Sequence, residues 1–90
     1  MKIEDIKIGQ RIVLTKEVET LNYIDKNSNF KAGMKGTIIG CARTSGADIE
    51  FDDWIDGHDG NYRGKMGHCW WLPEEILVDI AKVFKRKNNY

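Results

Sequence analysis

Apolar and polar residues alternate without a fault in Ala47-Asp48-Ile49-Glu50-Phe51-Asp52, and a period of two marks a half-buried strand. It predicts Ala47, Ile49 and Phe51 inward and three carboxylates toward water. Arg11-Ile12-Val13-Leu14-Thr15 is a β-branched run that predicts an earlier strand, with Ile12 and Leu14 on one face. Gly33 and Gly36 bracket a tight turn, and Gly36-Thr37-Ile38-Ile39-Gly40-Cys41-Ala42 follows as the next strand. Thr44-Ser45-Gly46 turns the chain into the alternating segment. His68-Cys69-Trp70-Trp71-Leu72 predicts a fourth strand, which Pro73 interrupts with a single 3-10 turn over Pro73-Glu74-Glu75. Near the end, Val78 and Ile80 alternate as a short closing strand, although Leu77, Ile80, Ala81 and Phe84 also fit helical spacing. The expectation is a strand through Ile80, then a helical turn or a basic tail. Between Glu17 and Lys35 the pattern lapses into a long polar connection. Tyr23 and Phe30 are its aromatic anchors, expected to fold it back onto the body.

Ninety residues support one domain, read as a body over 8–80 with a tail over 81–90. A chain this short buries only about 60% of its unfolded surface, so its three Trp, three Tyr and three Phe must carry much of the core. Lys plus Arg equals Asp plus Glu at fourteen each, which gives no net field for DNA or an anionic membrane. The distribution is uneven. Asp48, Glu50, Asp52, Asp53, Asp56 and Asp59 gather in the middle, while Lys82, Lys85, Arg86 and Lys87 lie at the end. Met1-Lys2-Ile3-Glu4-Asp5-Ile6 is charged from the start and has no apolar leader core, and no span reaches the ~18 apolar residues of a membrane helix. The expectation is a cytoplasmic protein in which Cys41 and Cys69 stay reduced.

Strand, long loop, strand, short turn, strand, hairpin, strand, turn and short strand is the order of a small all-β SH3-like barrel of about five strands. Closure of such a barrel removes exposed edges. Gly33-Met34-Lys35-Gly36-Thr37-Ile38, Ile49-Glu50-Phe51-Asp52 and Trp71-Leu72-Pro73-Glu74-Glu75-Ile76-Leu77 resemble the matching parts of SH3-like domains of the Mib-Herc2 type. Gly57-His58-Asp59-Gly60-Asn61 and Gly67-His68-Cys69-Trp70-Trp71-Leu72 are similar to short proteins of bacteriophages and bacterial mobile elements. The likeness runs from about Ile8 to Ile80. The first resemblance implies peptide recognition. The second implies an accessory protein in a bacterial host cytoplasm that binds a host or phage protein, including one of host defence. The long loop from Glu17 and the His68-Cys69-Trp70-Trp71 run depart from the Mib-Herc2 pattern.

Chemistry concentrates in Gly57 to Pro73, where four glycines and both histidines run into Cys69 and two tryptophans. Zinc would accept His58, Asp59, His68 and Cys69, which flank one glycine-rich loop, and Asp52, Asp53 or Asp56 could complete the set, but no paired ligand spacing is present. The simpler expectation has the histidines bonding loop backbone and Cys69 as a small buried hydrophobe. A catalytic Cys69 would need a cation to hold its thiolate and a base held by a third group, and neither is legible, so no enzyme and no cofactor are expected. The aromatics are more informative. Trp70 and Trp71 must face opposite sides of a strand; Trp71 is expected in the core and Trp70 beside the 57–67 loop. Trp54, Tyr62 and Trp70, with Tyr23, would floor a ligand groove, and His58, Asp59, Asn61 and Arg63 would orient what binds there. Carboxylates nearby favour a protein or peptide with basic side chains. The alternative is a nucleotide or single-stranded nucleic acid stacked on the aromatics with Arg63 and Lys65 on phosphate, which the same carboxylates oppose.

Overall fold

A computed structural model describes residues 1–15, 30–42 and 45–84. Its strands are β1 (Arg11–Leu14), β2 (Lys35–Ala42), β3 (Gly46–Phe51), β4 (Cys69–Pro73) and β5 (Ala81–Val83), with a 3-10 turn at Ile3–Asp5 and one helix, α1 (Glu74–Ile80). They form one antiparallel sheet in the order β4-β3-β2-β1-β5. The first four strands meander, and α1 then carries the chain from the β4 edge back to the β1 edge, where β5 pairs. No helix among the described residues is long and apolar enough to cross a membrane.

Alternation on β3 sorts the two faces as expected on one side only. Ala47, Ile49 and Phe51 are buried with Ile12 and Leu14 of β1, Ile38 of β2 and Leu72 of β4. Phe30 closes this inner core and meets the Phe51 ring edge-on at 5.1 Å between centroids. Tyr23 lies outside the described residues. On the other face the carboxylates are not turned to water: Asp48 is only 6% exposed, Glu50 is half-buried, and Asp52 alone stands open, forked onto Arg11 by two 2.7 Å bonds.

The tryptophans meet the expectation in part: Trp70 does lie beside the 57–67 loop, stacked on His58, but it and not Trp71 packs against the core. Trp70 pairs across the sheet with Ile49 and Leu72 with Ala47, so both belong to the inner face, where Trp70 packs against the core and lies 6.1 Å from Phe30. Cys69 and Trp71 pair with Glu50 and Asp48 and so belong to the outer face. Cys69 is fully buried nonetheless, because chain outside the sheet covers it.

The end of the chain also differs. Pro73 is the last residue of β4 rather than the start of a 3-10 turn, and a seven-residue α-helix replaces the strand expected at Val78 and Ile80. Ile76, Leu77 and Ile80 bury one side of that helix while Val78 is left exposed. Glu74 and Glu75 sit in its first turn, where the helix dipole favours negative charge. The closing strand comes three residues later than expected, at Ala81–Val83, and Met1 lies against it with its ammonium donating to the Ala81 carbonyl at 2.5 Å.

Candidate functional site

Residues 52–68 fold over the outer face of β3 and β4, and one short sheet contact anchors them. His58 exchanges backbone bonds with Cys69 at 2.9 and 3.1 Å, forming an isolated antiparallel bridge. The chain then turns through Asn61 and Tyr62, both at positive φ (61° and 69°), with the Asp59 carboxylate accepting the Asn61 amide at 3.0 Å. Lys65 donates its amide to the Glu50 carboxylate at 2.8 Å. That segment is therefore held to the acidic face of β3 by the face's own carboxylates.

Asp48 is the strongest of these attachments. Arg63 Nη2 donates to Asp48 Oδ2 at 2.9 Å and its Nε donates to the Gly60 carbonyl at 3.0 Å, so one guanidinium ties the loop to itself and to the sheet. A bulge on β2 makes the space. Ile38 pairs with Ile49 but Gly40 pairs with Asp48, so Ile39 is extra and Gly40 is turned to the outer face. A Cβ on Gly40 would fall within the Arg63 guanidinium, which is why glycine stands there. Ile39 reaches over to Gly60 and Gly64 and with them seals the Cys69 thiol.

His58 lies beside the same carboxylate. Its Nδ1 accepts the Gly60 amide at 2.9 Å, so the neutral ring carries its proton on Nε2, which faces Asp48 Oδ1 at 3.8 Å, too far for a hydrogen bond. The ring stacks on Trp70 at 5.7 Å and 26°. His68 donates from Nδ1 to the Phe51 carbonyl at 3.0 Å and meets Trp54 edge-on. Both histidines thus bond backbone, as expected for shaping a glycine-rich loop. Burial first, then the Glu50, Asp48 and Asp59 carboxylates, push the Cys69 thiol up to about 11, the opposite of what a nucleophilic thiolate needs. Cys41 and Cys69 are both free thiols. Among the described residues, no three of the His, Cys, Asp and Glu side chains converge as a metal cage.

The residues singled out from sequence therefore divide. Arg63, Asp59 and His58 brace the loop, and Trp70 is half-buried behind His58. Trp54 and Tyr62 are the open ones, at 63% and 91% exposed, and Met66, which the sequence did not single out, is exposed to the same degree as Trp54. Gly67 is where the Trp54 ring rests: it has φ of 87°, and a Cβ there would lie inside the indole. Asp48 was missed as a site residue because alternation alone places it in water, and the only hint of a partner was an arginine fifteen residues on. Comparison with protein-family models, with curated proteins and with solved structures finds no match.

Proposed function

We propose that the protein is a non-catalytic recognition module, a small SH3-like barrel that binds a protein or peptide through residues 52–68. The observation that carries this is the pairing of a braced loop with unburied large apolar side chains: Trp54, Tyr62 and Met66 stay in water on a segment whose backbone is fixed by Arg63, Glu50 and His58. Fixing the loop beforehand lowers the ordering cost of binding, and aromatic side chains supply most of the energy in such interfaces. A nucleic-acid ligand is disfavoured because the guanidinium it would need is already held by Asp48. The role that follows from the phage resemblance is that of an accessory protein acting on a host or phage protein, including interference with a host defence.

Affinity capture from a bacterial lysate tests the proposal. One protein is expected to be retained by the wild type and lost with Trp54→Ala or Tyr62→Ala, while Val78→Ala, at an exposed position of α1, retains it. Equal retention by all three variants would remove residues 52–68 as the binding surface.

A further inference from the structure

Among the described residues, the hydrogen-bond phase of β4 leaves one residue of its outer edge, Trp71, without a main-chain partner. Phe51 donates to the His68 carbonyl and Glu74 to the Ser45 carbonyl, so the bonded pairs with β3 fall at His68, Trp70, Leu72 and Glu74. The amides and carbonyls of Cys69 and Trp71 must then point away from β3. Cys69 is satisfied there by His58. Continued antiparallel pairing would set Asp56 opposite Trp71, but Asp56 has φ of 58°, and this left-handed residue takes the chain off the edge so that the bridge stays isolated. Pro73 lacks a donor and ends the edge on the other side.

We propose that an extended segment of a partner protein, carrying Lys or Arg, adds to β4 opposite Trp71 in the place that Asp56 vacates. This rests on the recognition reading above and names how its ligand docks. The Trp71 amide and carbonyl would give the guest a pair of main-chain bonds, the usual source of affinity when a strand adds to a sheet edge. Charge selects the guest. Exposed Asp56 adjoins one side of the gap and Glu74 and Glu75, just past Pro73, the other, and Arg63 is already spent on Asp48. The same carboxylates on two copies would repel, which disfavours pairing of this chain with itself.

The probes are fluorescein-labelled hexapeptides of alternating Lys and Val and of alternating Glu and Val, read by anisotropy, with amide exchange by NMR on the full chain. Trp71 is expected to exchange freely in the absence of peptide while Trp70 and Leu72 are protected. Saturating Lys-Val peptide should slow Trp71 by about five- to tenfold and should bind at least about tenfold more tightly than Glu-Val peptide. Trp71→Pro, which removes the outward amide, should bind about fivefold more weakly than Trp71→Ala. Should the proline variant lose its fold, peptides N-methylated on alternate amides serve instead: one of the two sets must lose binding. Peptide binding that leaves Trp71 exchange unchanged, with both methylated sets equal, overturns edge docking; if Trp54→Ala still weakens that binding, the recognition reading survives. No binding of either peptide overturns edge docking too, and the lysate capture then judges the recognition reading alone. Concentration-dependent dimerisation that protects Trp71 without peptide overturns it in favour of a second copy.

Discussion

Removing Arg63 should cost more stability than removing the carboxylate it binds. Asp48 has a side chain only 9% exposed, whereas that of Arg63 is 46% exposed. Arg63→Ala leaves a carboxylate in a covered site with His58 at 3.8 Å, whereas Asp48→Ala leaves a guanidinium that water can reach. A hydrogen bond to a buried charged group contributes about 1.5–3 kcal/mol, and the half-exposure of Arg63 puts the expected loss at the lower end, about 2 kcal/mol. Asp48→Ala should cost about 1 kcal/mol, and the double variant little more than Asp48→Ala alone, because the orphaned charge is gone. Urea unfolding followed by tryptophan fluorescence measures all four corners of this cycle. In melting temperature the Arg63→Ala loss is on the order of 10 °C for a domain of this size. Additive single costs, or a larger loss for Asp48→Ala than for Arg63→Ala, would refute the pinning of the loop by this pair.

Gly40→Ala pushes a methyl into the same guanidinium, so it should destabilise by about 2 kcal/mol in the wild type and by well under half of that in Arg63→Ala, as the same urea cycle reads out. The Cys69 thiol is raised in the folded state from 9.0 to about 11, so its contribution is complete below about pH 9 and is lost as pH rises toward 11; the wild type should lose about 2 kcal/mol more than Cys69→Ala over that interval. The Arg11 guanidinium, chiefly by hydrogen bonding, holds the Asp52 carboxyl below its ordinary range, so that contribution is present at neutral pH and fades as pH falls through the carboxylate range. Both groups are well exposed, and Asp52→Asn should cost less than about 1 kcal/mol at low salt and nothing measurable in 1 M salt.

The strands β2, β3 and β4 were legible because each pairs a local period with a local stop: Gly33 just before β2, Ser45 before β3, and Pro73 closing β4. What escaped depended on contacts between distant segments. Ile76, Leu77 and Ile80 fit a strand or a helix equally until the core they must fill is known, and that core lies on the side of α1 facing β3 and β4. Trp71 was expected in the core because it lies two residues from Cys69, on the same face of a strand, and Cys69 was read as a small buried hydrophobe. Cys69 is in fact buried by Gly60, Gly64 and Ile39 on the outer face, so Trp71, on the same face, is not the core residue. The bulge at Ile39 has no sequence signature, yet without it Gly40 would face inward and Arg63 would have no path to Asp48. Most polar residues of the loop 57–67, read from sequence as orienting a ligand, serve to hold the loop in place.

The central claim is that residues 52–68 cover the outer face of the sheet yet stop one residue short along the β4 edge. Amide exchange of the free protein, read at Cys69, Trp70, Trp71 and Leu72 together, tests it most directly. The account predicts slow exchange at Cys69, Trp70 and Leu72 and fast exchange at Trp71 alone; protection of Trp71 equal to its neighbours, or rapid exchange at Cys69, would contradict it.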